Sequence, residues 1–339
     1  MVQEKYYPGF DYLRAFFCIA IVGWHTKVFG YAHILDKSLD TFRVTLPDII
    51  YANILLLGVP LFHQVSLFLY IQNRKRNDYF IGRIKKLGFL YLFWTLVSVV
   101  FLYDGMDFNK VISLDYWIAA GYTHIYFIFS LIVTTIVTEL LCLLSSRVSE
   151  NKFRVLTVLL LLASCMVLIF RIPLYELLKT SHYAYLIVAF YSPINFIPYV
   201  FTAMLIAHYW KKSSSSLLGM LFLLSSLFVV WEWKSQVNVF NLGQGGLLIS
   251  PYARLSLVMT ASLVMCLVLK ITQRAPNLIL QISNLSLGVY ITHYYFANKL
   301  FQFSPDLARI AVDNGMLLFV FVLVLSLGLS YVIKYKKIT

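Results

Sequence analysis

Apolar stretches of about 20 residues, the length an α-helix needs to cross the hydrocarbon core of a bilayer, recur along this chain. Segments such as Val155 to Phe170 and Met316 to Ile333 are apolar on every face. Strands of a lipid-embedded barrel would instead alternate in short segments. Hydrophobic residues fill 60% of the 339 positions and charged residues only 13%, so too few polar side chains are present to cover a water-facing surface. The sequence therefore predicts an all-α, polytopic integral membrane bundle of about ten transmembrane helices, a single transmembrane domain over residues 1–339. The predicted spans are Phe10–Phe29, Tyr51–Ile71, Phe80–Tyr103, His124–Leu144, Phe153–Phe170, Ser192–Tyr209, Leu217–Trp233, Ser250–Leu269, Leu278–Ala297 and Gly315–Ile333. Pro193 and Pro198 interrupt the sixth, which membrane helices tolerate when neighbours satisfy the freed carbonyls.

Orientation follows from the basic residues between spans. With the N-terminus inside, 17 Lys and Arg and three acidic residues fall on the cytoplasmic side, against nine of each on the other. The asymmetry predicts an N-in/C-in topology. It also accounts for the formal net charge of +13 through short loops beside anionic lipid headgroups, so that no nucleic-acid partner is expected. The first span carries Asp11, Arg14 and His25 and lacks a small-residue cleavage site, and is expected to persist as an anchor. Cys18, Cys142, Cys165 and Cys266 all fall within predicted spans, where cysteine acts as a small apolar residue; no metal site is expected. The longest hydrophilic stretches, 27–48, 104–123 and 171–181, are predicted to be outer loops.

Ionisable groups inside a span are costly and mark candidate sites. From Arg14 to His25 the helix turns about 1100° and rises about 16 Å, which puts both side chains on one stripe with Asp11 one turn earlier. Arg14 belongs near the cytoplasmic end and His25 toward the outer leaflet. The same topology brings His124, His293, Glu232 and Arg254 to the depth of His25, and sets Arg83, Lys85 and Lys86 near Arg14. The inner basic set reads either as an anion-binding site or as positive-inside residues that snorkel to lipid phosphates. His63 reads either as a functional group or as a histidine bonded to a backbone carbonyl. Glu139 reads as a solvated or paired acid near the end of its helix. For His25 the alternatives are catalysis, ligand binding and an interhelical hydrogen bond.

Five elements then occur in an order that resembles the acyltransferase-3 family of membrane acyltransferases, which decorate bacterial polysaccharides and related glycans. The first is FDYLRAFFCIAIVGWH, with Asp11, Arg14 and His25 in register. VPLFHQVSLFLY follows, with Ser66 at the family's serine and Leu67 where a glycine is expected. Arg83-Ile84-Lys85-Lys86 resembles an Arg-x-x-Arg element, with Lys86 at the second arginine. THIYFIFSL carries His124, and ISNLSLGVYITH carries Ser286, Tyr290 and His293 of a Ser-x-x-x-Tyr-x-x-His helix.

The resemblance implies O-acyl transfer in the bacterial cytoplasmic membrane. Acyl-coenzyme A, acetyl-coenzyme A in the first instance, would be the co-substrate without any bound cofactor, and a glycan or lipid-linked saccharide hydroxyl the acceptor. Arg14, Arg83, Lys85 and Lys86 would hold the donor's phosphates. His25 would act as general base or transient acyl carrier, with Asp11 pairing Arg14. Ser286 or Tyr290 would bond the donor or oxyanion, and His124 and His293 would orient the acceptor beside Glu232 and Arg254. Two rivals remain: a glycan or lipid-linked sugar exporter, which needs no acyl donor, and a polymerase or ligase acting on lipid-linked sugars.

Overall fold

The computed structural model describes residues 6–30, 45–74, 78–102, 113–120, 123–181, 184–212, 214–235, 252, 254–303 and 314–335. Its regular elements among these residues are all helical. Helix α1 covers Pro8–Thr26 and α2 Leu46–Asn53; a 3₁₀ turn at Leu55–Leu57 then leads into α3, Gly58–Asn73. Next come α4 Tyr79–Leu102, α5 Leu114–Ile118, α6 Tyr126–Ser145, α7 Glu150–Ile169 and α8 Arg171–Leu178. A 3₁₀ segment, Pro193–Phe196, opens α9 at Ile197–Tyr209, followed by α10 Ser215–Ser235, α11 Leu255–Val268, α12 Asn277–Phe303 and α13 Gly315–Tyr335.

The local chemistry explains where these helices start and stop. Pro8 opens α1, where its missing N–H costs nothing, and Lys27 closes it in the left-handed conformation (φ 52°). At α2 the Thr45 backbone N–H donates to Asp48 Oδ2 at 2.7 Å, one half of a capping box. The second predicted span is not one uninterrupted helix. Pro60 cannot donate to the carbonyl four residues back, and the chain tightens into the 3₁₀ turn before α3 begins. The sixth opens as the 3₁₀ segment at Pro193, and Pro198, which cannot donate to the Ile194 carbonyl, leaves a regular helix of only 13 residues. Short helices, α5 and α8, occupy parts of the predicted loops at 104–123 and 171–181; 31–44 and 103–112 lie outside the described residues.

Among the described residues, five helical segments are long and apolar enough to cross a membrane: Leu46–Asn73, Tyr126–Ser145, Glu150–Ile169, Ser215–Trp233 and Gly315–Tyr335. The other predicted spans are also helical but differ in character. Ionisable residues punctuate α1 and α4, polar residues lace α12, and α9 and α11 have only 13 and 14 residues. Along α7, α10 and α13, residues such as Leu159, Phe222, Leu223 and Val324 point outward. Such apolar flanks fit a lipid surround, and the chain is a multi-pass helical membrane protein.

In the interior, α1 packs between α12 and α13, and α3 runs through the middle against α6, α9 and α11. Two glycines permit the closest approaches. A methyl group on Gly9 would overlap the Val268 carbonyl of α11, and one on Gly288 of α12 would stand 2.6 Å from Ser330 Oγ of α13. Polar seams tie helices together across the core. Gln64 Nε2 donates to Thr202 Oγ1 (2.7 Å) and Ser262 Oγ (3.3 Å), joining α3, α9 and α11. All four cysteines are buried and unbridged.

Candidate active site

The stripe expected on α1 is present, but its members have different partners. Asp11 accepts hydrogen bonds from Tyr6 Oη (2.6 Å) and Ser283 Oγ (2.8 Å), which ties α1 to α12. That bond to Asp11 also raises the pKa of the Tyr6 phenol. The expected Asp11–Arg14 ion pair is not formed, because Ser283 on the facing helix and Tyr6 take up the carboxylate. Arg14, three residues on, faces a cavity of about 390 Å³ instead.

Helices α1, α3, α4, α6 and α12 enclose this cavity, whose polar wall includes Arg14, Ser66, Arg83, Ser283, Ser286 and Tyr290. Arg83 reaches in from α4, donating through Nη2 to Ser66 Oγ at 2.7 Å and through Nε to Thr135 Oγ1 at 3.3 Å. Its guanidinium also lies 5.3 Å from the Tyr70 ring centre. Glu139 is already bonded by Arg74 at 2.9 Å and by the Tyr70 hydroxyl. Among the described residues, therefore, neither Arg14 nor Arg83 forms an ion-pair contact with a carboxylate, although the charge of Asp11 still acts on Arg14. Two guanidinium groups thus face one cavity without a carboxylate in ion-pair contact, an arrangement whose chemistry suits an anion. Lys85 and Lys86 sit on the exposed side of α4, away from the cavity wall.

The second group is a histidine cluster. His25 from α1 and His293 from α12 have ring centres 4.9 Å apart, and His124 lies 5.2 Å from His293 in the turn before α6. Tyr294 packs edge-on to His25 at 5.4 Å and against His124 at 4.7 Å. The buried rings are fixed by backbone: His293 Nδ1 meets the Val289 carbonyl at 2.9 Å, and His124 Nε2 meets that of Ile291 at 3.0 Å. His25 is partly accessible. Tyr290 links cluster and cavity, since its ring lines the cavity, packs 5.3 Å from His124, and its hydroxyl donates to the His124 carbonyl at 2.9 Å.

Two expected site residues lie elsewhere. Glu232 and Arg254 form a buried ion pair (2.8 Å). Arg254 also donates to the Ala52 carbonyl (2.7 Å) and to Asn53 Oδ1, while the Ser256 N–H donates to Glu232 Oε1 (2.9 Å). This network binds α10, α11 and α2 to one another. His63 is fully buried beside the cavity wall, stacked on Phe196 at 4.4 Å and edge-on to Phe127 at 4.8 Å. Sequence reasoning missed Ser283, Thr135 and Tyr294. Ser283 was within reach of it: Ser283, Ser286, Tyr290 and His293 follow one another at helical spacing on a single stripe of α12.

No curated protein and no solved structure matches the chain. The sequence model of one family, described as an acyltransferase domain, matches residues 7–335. That match takes in α1, the cavity and the histidine cluster together, and the chain belongs to the acyltransferase-3 family.

Proposed function

We propose that the protein transfers an acyl group, acetyl in the first instance, from cytoplasmic acyl-coenzyme A to a hydroxyl of a glycan or lipid-linked saccharide, in the cytoplasmic membrane of a bacterium. The observation that carries this reading is the pairing of two cavity-facing arginines, neither in ion-pair contact with a carboxylate, with a histidine cluster across one shared wall, Tyr290. Arg14 and Arg83 bind phosphate oxygens of the donor through charge-assisted hydrogen bonds. The pantetheine arm then covers the rise of about 16 Å along α1 toward His25. His25 accepts the proton of the acceptor hydroxyl as its oxygen bonds to the acyl carbon. The carbon–sulfur bond breaks and the proton passes to the coenzyme A sulfur. The vectorial reading includes a ten-span, N-in/C-in topology, and a cytoplasm-active reporter fused after Thr339 tests it: loss of reporter activity with the fusion present would refute a cytoplasmic C-terminus.

The reaction is tested with membranes from a glycan-producing host lacking this protein, supplied with acetyl-labelled acetyl-coenzyme A. Alkali-labile label should enter the glycan only when the protein is present. An unlabelled glycan whose export nevertheless requires the protein would favour the exporter reading.

A further inference from the structure

This inference rests on the acyl-transfer reading and concerns what holds the base in place. His293 is fully buried, and its Nδ1 meets the Val289 carbonyl at 2.9 Å. A carbonyl only accepts, so Nδ1 carries the proton and the other nitrogen of the neutral ring, Nε2, is a bare lone pair. That nitrogen is buried without a hydrogen-bond partner. His124 is in the mirrored state, with Nε2 on the Ile291 carbonyl at 3.0 Å and Nδ1 buried without a partner. Two buried acceptor nitrogens therefore lie in a cluster whose third ring, His25, is tied to no backbone carbonyl among the described residues. Buried acceptors are costly to leave unmet, and the donor within reach of His293 is the N–H of His25, ring centres 4.9 Å apart at 53°.

We infer that His293 is the positioning residue for His25: its Nε2 accepts the His25 N–H and turns the remaining lone pair of His25 toward the acceptor hydroxyl. The rings are in contact rather than hydrogen-bonded, and rotation of His25 about its side-chain torsions closes the gap. Catalytic hydrogen bonds commonly tighten only once substrate is bound. His124 reaches His25 through His293, whereas Tyr294, edge-on at 5.4 Å, confines the His25 ring. An imidazole thus takes the place of the carboxylate that orients histidine in other nucleophile-activating sites. In the transfer, the substrate proton moves to the free His25 nitrogen and then to the coenzyme A sulfur. His293 neither gains nor loses a proton; its lone pair stabilises the imidazolium while it lasts.

The test compares wild type, His293→Leu and His293→Gln at equal membrane levels, measuring kcat and the KM for acetyl-coenzyme A in the labelled-glycan assay. His293→Leu should lower kcat by about 10²-fold, the upper end for loss of an orienting partner, and leave KM nearly unchanged. His293→Gln, whose side-chain oxygen can still accept, should recover about tenfold or more over the leucine variant. Equal kcat in the two variants, or a loss confined to KM, would overturn the inference. Should His293→Leu fail to accumulate, His293→Asn replaces it, because its amide is too short to reach His25 and should fall as far. A wild-type protein that moves no label would sink the acyl-transfer reading itself, a result distinct from an active enzyme indifferent to His293.

Discussion

Arg83 and its neighbours Lys85 and Lys86 separate two explanations of the same charge run. All three are basic and lie within one turn, yet only Arg83 reaches the cavity, held by Ser66 and Thr135. A hydrogen bond to a charged group is worth about 1.5–3 kcal/mol, so Arg83→Ala should raise the KM for acyl-coenzyme A by about 10- to 100-fold. Lys85→Ala and Lys86→Ala should stay within about twofold, as exposed substitutions do. Michaelis kinetics on membranes decide it, and a lysine variant matching Arg83→Ala would show that the anion lies along the exposed face of α4. The sequence alone offered the three together, because a count of charges carries no side-chain direction. Arg14 and His25 were legible for the opposite reason: on any α-helix a spacing of 11 residues returns to the same face, so their shared stripe follows from helical geometry alone.

At the scale of elements, hydropathy located the helices well, and backbone chemistry it does not register moved their ends. Proline at 60 and at 198 leaves a 3₁₀ turn ahead of the regular helix, and the helix at 126 begins two residues after the histidine expected to open it. Which elements face each other was less accessible. Glu232 and Arg254 are 22 positions apart in sequence, and their pairing depends on how α10 packs on α11. Their role follows from burial: each is under a tenth exposed, and the pair holds α2 against both helices. Removing one member of a buried pair costs about 3–5 kcal/mol, because a desolvated charge is left alone. Glu232→Ala should therefore lower thermal stability in detergent markedly. Glu232→Ala protein that retains wild-type stability and its KM would show that the network is dispensable to fold and site alike.

Across the whole molecule, the candidate residues gather along one helix and its neighbour. α1 carries Asp11 as its tie to α12, Arg14 on the cavity and His25 in the histidine cluster, and α12 answers with Ser283, Ser286, Tyr290 and His293 along one stripe. The two helices pack side by side, so the proposed anion site and the proposed base are held at a fixed separation by two packed helices. Helices such as α7 and α10 line none of the cavity and turn apolar side chains outward. The most direct measurement expresses wild type and His25→Ala at equal membrane levels in a glycan-producing host lacking the gene, and quantifies ester-linked acyl groups on the glycan. Acylation with the wild type and its loss with His25→Ala is the expected result; a His25→Ala protein that acylates as well as wild type would contradict the assignment of the chemistry to α1.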